Sequence, residues 1–372
     1  MTTMPAVTSA QPAQPTASAP GAPESAPRAS VIIVNYNGGD ALQRCLRSLL
    51  NDGCRNYELI VVDNASTDGS AEDVERCFPS VRLIRSATNL GFGEGSNWGA
   101  QAATGTFLGF LNPDTIVAPG WLETLVASLD ADPRIGLTTS KILLMDDPGR
   151  INTCGNDMHY TGLTLCRGTG MSHAALADPA EVSAVSGAAF VIRRDLFEAL
   201  GGFDGSFFLY MEDTDLSWRA RLAGYRCLYV PTSIVYHEYT LRFGPRKIFY
   251  QERNRYLMLL KGAHWATLLV LLPALLLAEV VTWGFVLARD RRRLANKARA
   301  YAWIAEHWDE IMERRRQTQA FRRVRDRDLI ARCTHRLAYE QTGTGRVTRL
   351  ARRLFDPLFF ALQRLALALI WW

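Results

Sequence analysis

The 372-residue sequence predicts an α/β protein, with a mostly parallel central sheet carrying helices on both faces and a helical C-terminal region after it. Three observations carry that expectation. From residue 30 onward short, continuous apolar runs alternate with helical periodicities, the pattern of buried parallel strands joined by helices. The polar and glycine-rich motifs fall just after those runs, at strand carboxyl ends, where open α/β sheets bind ligands. Hydrophobic residues make up 48% of the chain and charged ones 21%, enough for a sizeable core and incompatible with disorder throughout.

Taken in order, residues 1–29 are Ala, Pro, Ser and Thr with six of the 16 prolines, and read as a disordered tail without the apolar stretch of a signal peptide. Residues 31–34 (VIIV) form the first predicted strand. Leu42, Leu46, Leu49 and Leu50 give the following helix its buried face. Residues 59–62 form the second strand, with Asp68 placed to cap the next helix. Residues 81–84 and 107–111 are the third and fourth strands, separated by a helical stretch around 93–103. Further on, residues 185–193 read as a strand and 195–200 as a short helix stopped by Gly201 and Gly202. Residues 214–223 read as a helix stopped by Gly224, and 227–230 and 234–237 as two strands separated by Pro231. This organisation places one α/β domain at 30–245 and a helical region at 246–372.

In the helical region, residues 265–288 contain Glu279 as their one ionisable side chain and are long enough to cross a hydrocarbon core of about 30 Å, although Pro273 interrupts them. A buried core helix is the alternative reading. Residues 289–353 hold 19 Lys and Arg against 8 Asp and Glu, and 354–372 are apolar, ending in Trp371-Trp372. Apolar segments with terminal tryptophans beside a cationic stretch suit a membrane interface. Seven scattered cysteines without a CxxC pair argue against a disulfide framework or a zinc ribbon.

The candidate chemistry lies in five places. Asn35-Tyr36-Asn37 ends the first strand, where side-chain amides can meet a ligand or simply form a loop. Asp63 ends the second, where a carboxylate can accept a hydrogen bond from a nucleobase imide. The run from Asn89 through Gly91 and Gly93 to Asn97 opens a helix whose N–H groups could face a diphosphate, or whose glycines could serve close packing. Asn112-Pro113-Asp114 offers hard oxygen ligands for Mg²⁺ or Mn²⁺, and is equally good turn chemistry. Glu212 and Asp213 precede a helix, where carboxylates can satisfy the helix dipole or remove a proton from a hydroxyl, and His237 could join a metal site or be structural.

In order and spacing, the stretches VIIVNYNGG, ELIVVDNASTDGS, NLGFGEGSNWGA, FLGFLNPDT, VSGAAFVIRRDLFEALGGFDGSFFLYMEDTDLSWRARLAGYRCLYVP and VYHE resemble the family 2 glycosyltransferases of the GT-A nucleotide-diphospho-sugar fold, over roughly residues 30–240. Within that family the chain is similar to bacterial rhamnosyltransferases that use dTDP-L-rhamnose. The resemblance implies that Asn35, Asn37 and Asp63 hold the pyrimidine and that residues 89–97, with Asn112, line the nucleotide-sugar site. It also implies that Asp114 and His237 contact a divalent cation. Asp213 would be the general base, with Glu212 orienting the acceptor or supporting it. Asn-Pro-Asp keeps one carboxylate of the family's DxD-like motif.

The implied reaction is an inverting transfer from a nucleotide diphosphate sugar to a polyprenyl-linked or polysaccharide acceptor, at the cytoplasmic face of a bacterial inner membrane. Attachment would be single-pass, re-entrant or interfacial. A UDP- or GDP-sugar donor is the enzymatic alternative, and a membrane-bound scaffold or binding module the non-enzymatic one. A nucleotidyltransferase is disfavoured because its triphosphate loop needs a basic residue that Asn-Tyr-Asn-Gly-Gly-Asp lacks. Charge separates the remaining classes. The chain as a whole has net charge +5, yet residues 30–240 carry 15 Lys and Arg against 25 Asp and Glu. The positive charge therefore belongs to the C-terminal region and points to an anionic membrane surface rather than nucleic acid.

Overall fold

The alternation read from the sequence winds into one large mixed sheet, beside which a separate two-stranded antiparallel pair forms among the described residues. The computed structural model describes residues 26–54, 56–239, 245–289, 294–341 and 345–372. Most of the expected N-terminal tail, and residues 290–293 of the basic run, lie outside the described residues. The first elements are β1 (Ala29–Asn35), α1 (Gly39–Leu50), β2 (Tyr57–Asp63), α2 (Ser70–Cys77), β3 (Arg82–Arg85), α3 (Gly91–Ala102) and β4 (Phe107–Leu111). Next come β5 (Thr115–Val117), α4 (Trp121–Ala131), β6 (Ile135–Leu144), β7 (Ile151–Thr153), β8 (Asn156–Met158), β9 (Thr164–Cys166) and β10 (Ala180–Val182). The sheet region closes with β11 (Ala189–Arg193), α5 (Arg194–Ala199), α6 (Glu212–Leu222) and β12 (Arg226–His237).

The main strand order is β10-β12-β6-β11-β4-β1-β2-β3. β1 pairs in parallel with β2 and β4, β2 with β3, and β12 with β6; β11 runs antiparallel between β4 and β6. Alternate residues of β1 serve opposite faces, as strand geometry demands. Val31 and Ile33 join a core with Leu42, Leu46 and Trp121, whereas Ile32 joins one with Ile60, Val62, Phe110 and Phe190.

Several boundaries move. The strand expected at 185–193 begins only at Ala189, because residues 186–188 turn into the cleft. The two strands expected around Pro231 are one, β12, which shifts register between Val230 and Ile234 where the proline cannot donate to a ladder. Asp68 does not cap α2, whose N-cap is Gly69 at φ 81°. Its carboxylate instead accepts N–H bonds from Ser70 (3.1 Å) and Gly39 (2.8 Å), tying the starts of α1 and α2 together.

The C-terminal region consists of α7 (Pro245–Gly262), α8 (Trp265–Arg289), α9 (Leu294–Glu306), α10 (Trp308–Ala320), α11 (Asp326–Ala331) and α12 (Arg346–Leu369). A third apolar cluster joins these helices to the sheet region: Phe207, Trp218 and Leu222 pack with Leu257, Leu271, Ile311 and Phe359. α8 is half core and half surface. Leu271, Ala274, Leu275 and Ala278 are buried, while Leu269, Leu272, Leu276 and Val280 are exposed.

Close approach of α3 to the sheet rests on Gly99. A methyl group there would stand 2.4 Å from Ile32 Cγ2 and 3.2 Å from Val62 Cγ2. Helix propensity alone would make Gly99→Ala stabilising by about 1 kcal/mol. Overpacking against two fully buried strands reverses the sign, and we expect a loss of about 1–3 kcal/mol in urea unfolding. A gain in stability would show that α3 can move off the sheet.

Candidate active site

β1 and β2 end side by side, with Asn35 opposite Asp63. Asn35 is fully buried. Its Nδ2 donates to Asp63 Oδ1 (3.1 Å), Ser66 Oγ (3.0 Å) and Ser70 Oγ (2.8 Å), and its Oδ1 accepts the Gly38 N–H (3.1 Å). The amide therefore lies beneath the cleft and braces it. Asp63, 4% exposed, also accepts the Ser66 N–H. Asn37 is exposed, in the left-handed region at φ 55°, and its Oδ1 receives the Thr67 N–H (2.8 Å).

Asn64 was not singled out by sequence reasoning, yet it holds the neighbouring loop. Its Nδ2 donates to Asn89 Oδ1 (3.0 Å) and the Gly91 carbonyl (3.0 Å), and its Oδ1 accepts the Leu90 N–H (2.8 Å). The signal was its place after Asp63 at a strand end. Asn89 Oδ1 also accepts the Gly91 N–H, and the Phe92 N–H goes to the Phe208 carbonyl (2.9 Å). These N–H groups at the start of α3, expected to meet a diphosphate, are engaged within the protein. Gly91 has φ 79°, and a Cβ there would fall 2.2 Å from the Phe208 carbonyl oxygen. Gly93 is buried, with its Cβ position near Phe203 and Glu212. Asn97 turns away from the cleft, bonding both backbone polar groups of Phe203 at 2.9 Å.

On the other side of β1, the end of β4 leads to Asn112 and Asp114. Together with Tyr36, Asn37 and Glu238 these residues line a cavity of about 330 Å³. The antiparallel pairing of β12 with β5 sets His237 opposite Thr115, and the Glu238 N–H binds the Asp114 carbonyl at 3.0 Å. His237 Nε2 then lies 3.3 Å from Asp114 Oδ1, and Nδ1 lies 3.0 Å from Asn152 Oδ1. An amide oxygen only accepts, so Nδ1 donates to Asn152, and the neutral imidazole in this tautomer would turn its Nε2 lone pair toward Asp114. Asp114 Oδ1 is buried without a hydrogen-bond donor. Two lone-pair groups facing each other, with the imidazole oriented by a neighbouring amide, fit a divalent cation. Among the described residues no cluster of three or more His, Cys, Asp or Glu side chains forms, so most of its ligands would be donor oxygens and water.

Glu212 and Asp213 open α6 beyond a strained approach. Phe208, Tyr210 and Met211 all have φ between 58° and 68°. Left-handed conformations cost side-chain-bearing residues about 1–3 kcal/mol each and persist only where the surroundings impose them. Asp213 Oδ2 accepts the Gly187 N–H (2.7 Å) and Asn156 Nδ2 (3.3 Å), and Oδ1 accepts the Thr214 N–H (2.7 Å). Burial raises its pKa, opposed by those N–H bonds. Glu212 is buried, its Oε2 lacks a partner, and burial reinforced by the charge of Asp213 pushes its carboxyl up to about 8. The three N–H donors gathered on Asp213 favour the negative charge there, whereas Glu212, partnerless at Oε2, favours its protonated form. The two halves of the site meet through one turn: Gly187 holds Asp213, and the adjacent Ala188 carbonyl accepts the Asn112 N–H at 3.0 Å.

A mixed, mostly parallel sheet bearing this cleft at its strand ends is the GT-A class of transferase architecture. Residues 1–349 of TarS from S. aureus match it with a TM-score of 0.51 at 17% identity, over 91% of this chain and 90% of that one. GalNAc-T7 with UDP, GalNAc and Mn²⁺ matches with a TM-score of 0.53 at 22% identity, over 64% of this chain and 48% of that one. The sequence model of Glycosyl transferase family 2 matches residues 30–201. An N-acetylglucosaminyl-diphospho-decaprenol L-rhamnosyltransferase from Mycobacterium tuberculosis is 32% identical over 238 residues, 56% of this chain and 75% of the relative. A pre-mycofactocin glycosyltransferase from the same organism is 29% identical, over 59% of this chain and 45% of that relative. The chain belongs to the family 2 glycosyltransferases. Glu212, Asp213 and His237 lie beyond the segment that the family model matches.

The bracing role of Asn35 is testable. The near-isosteric Asn35→Leu removes the shared amide donor to Asp63, Ser66 and Ser70 and leaves the Gly38 N–H without its acceptor, and should lower stability in urea unfolding by about 1–3 kcal/mol. Unchanged stability with lost nucleotide binding would mean instead that the amide contacts the base.

Proposed function

We propose that the protein transfers L-rhamnose from dTDP-L-rhamnose, with inversion, to a hydroxyl of a polyprenyl-linked acceptor in cell-envelope glycan synthesis. The observation that carries this reading is the joining of Asp213 and Asn112 through Gly187 and Ala188, which ties a buried carboxylate to the strand end that leads to the Asp114–His237 pair. The sugar and the lipid-linked acceptor rest on the 32% identical relative.

In this reading the pyrimidine lies over the ends of β1 and β2, near Asn37 and Asp63, with Asn35 and Asn64 holding the loops beneath it. Residues 89–93 give the nucleotide a rigid wall. A divalent cation, Mg²⁺ or Mn²⁺, held by Asp114 and His237 would offset charge on the diphosphate. The acceptor hydroxyl attacks the anomeric carbon from the face opposite the nucleotide and gives its proton to Asp213. The bond to the diphosphate oxygen breaks as the new glycosidic bond forms, and its electron pair leaves with the nucleotide. Protonated Glu212 keeps a second negative charge off the pair, so that Asp213 remains the one base.

Asp213→Asn should lower transfer by roughly 10²–10⁴-fold while leaving dTDP binding intact. The base must be ionised, so activity falls as pH drops through the Asp213 pKa. Burial places that acidic limb above the ordinary aspartate value of about 4. Glu212→Gln should keep activity at pH 7, because Glu212 is already neutral there. Wild-type transfer by Asp213→Asn would remove the assignment.

We also propose that the protein attaches in the plane of the cytoplasmic leaflet rather than across the membrane. Glu279, midway along α8, is paired with Arg255 and with Lys297 (2.9 Å), and accepts the Tyr256 and Tyr301 hydroxyls. These partners hold α8 sideways against α7 and α9, and a spanning helix would have to carry the cluster into hydrocarbon. The outer ridge of α8 (Leu269, Leu272, Leu276, Val280) is matched on the adjoining α12 by Val347, Leu350, Leu354 and Leu358. Arg346, Arg349, Arg352 and Arg353 lie on α12 among them, placed for anionic headgroups. The full chain should float with phosphatidylglycerol-containing vesicles, and Leu272→Glu with Leu276→Glu should release it without altering dTDP binding. Retained flotation of that double variant would overturn the in-plane arrangement.

A further inference from the structure

The strained approach to Glu212 does not hold itself. Between the short 3₁₀ turn at Gly205–Phe207 and the start of α6, residues 208–211 form a strap in which three of four residues are left-handed and none is glycine. Such a strap would relax if its backbone were free. Two consecutive residues of α7 instead collect carbonyls of the strap and of the turn just before it. Asn254, fully buried, directs Nδ2 at the carbonyls of Phe207 (3.1 Å), Leu209 (3.0 Å) and Tyr210 (2.6 Å). Arg253, also buried, donates through Nη2 to the carbonyls of Ser206 (2.6 Å) and Phe207 (2.8 Å), and through Nε to Asn254 Oδ1 (2.9 Å), which fixes the orientation of that amide.

Of the remaining strap carbonyls, that of Phe208 accepts the Phe92 N–H and that of Met211 accepts the Asp215 N–H (2.8 Å), and the Phe208 ring stacks on Tyr250 at 5.5 Å. One short segment is thus fastened to α7 on one side and to the nucleotide-side loop at α3 on the other, and it delivers the carboxylate pair at its end.

We infer that Asn254 is a positioning residue for the Glu212–Asp213 pair, acting through the carbonyls of the 207–210 segment. It touches neither carboxylate, and it lies more than 50 residues beyond the segment matched by the family model. An amide suits the task because it supplies two N–H donors and no charge, where a lysine would add a cation beside the carboxylates and an aspartate would face three carbonyls with oxygen. Without those donors the strap relaxes, Met211 leaves the left-handed region, and the first turn of α6 carries Asp213 away from Gly187. This inference rests on the assignment of Asp213 as base.

The experiment uses the full chain, with dTDP for binding and dTDP-L-rhamnose plus a polyprenyl-diphosphate N-acetylglucosamine acceptor for turnover. Asn254→Asp preserves shape and removes the donors. Its kcat should fall on the order of 100-fold, as for a misplacement of about 1 Å, with the Kd for dTDP within about twofold of wild type. The acidic limb of its kcat–pH profile should move to higher pH, since Asp213 loses the Gly187 N–H that lowers its pKa and the introduced carboxylate adds negative charge beside the pair. A residue that only stabilised the fold would lower the unfolding temperature and leave kcat per folded molecule and the pH profile unchanged.

If Asn254→Asp does not fold, Arg253→Lys reads the same split with a smaller fall in kcat, because it keeps the charge but loses the paired carbonyl contacts. Wild-type kcat and pH profile in a folded variant overturn the inference. Asp213→Asn, measured alongside, separates the two failures: inactive Asp213→Asn with normal Asn254→Asp removes the positioning role alone, whereas active Asp213→Asn removes the assignment on which it rests.

Discussion

The cleft depends on one turn, residues 186–189, where the chain enters the antiparallel strand β11 between two neighbours of the sheet. Because β11 is locked on both sides, to β4 and to β6, the amide of Gly187 and the carbonyl of Ala188 stand at fixed points. One holds Asp213 and the other holds Asn112, so two motifs separated by about a hundred residues share a rigid connection. A carboxylate buried this way loses water and gains N–H donors, and burial raises the pKa of Asp213 and of Glu212 beside it.

The helical region extends that logic rather than trailing from it. Its α7 presents three consecutive residues with different duties: Arg253 and Asn254 hold the strap before Glu212, and Arg255 pairs with Glu279 of α8. The helix with the apolar outer ridge is therefore one residue away, along α7, from the groups that fasten the catalytic turn. Charge is divided accordingly, with an acidic sheet region and a basic helical one.

Much of the first half was legible because its signals are local. The VIIV and LIVV runs are buried on both faces, and Phe107–Leu111 was bounded correctly from its apolar residues alone. The stretch from Thr115 to Val182 was not read. Its β7, β8, β9 and β10 have three residues each, too short for a period to register, and β6 buries Thr138, Thr139 and Ser140 in mid-strand. Those hydroxyls are satisfied by distant partners, such as the Ala189 carbonyl for Thr139 and Ser233 for Ser140. A buried polar strand looks like a loop until its partners are known.

By itself the sequence determined the sheet's first four strands, the family, and which residue types stand at the strand ends, since apolar runs and turn chemistry act over a few residues. Only the tertiary structure decided what those residues face. Asn35 ties together the side chains of Asp63, Ser66 and Ser70, Asn97 braces the backbone of Phe203, the N–H groups opening α3 are already bonded, and Asn64, Asn152 and Asn254 acquired duties that their own neighbours in the chain do not reveal. The physical reason is the same throughout. A side-chain amide becomes a brace or a ligand according to which distant carbonyl, hydroxyl or carboxylate the fold brings within about 3 Å of it.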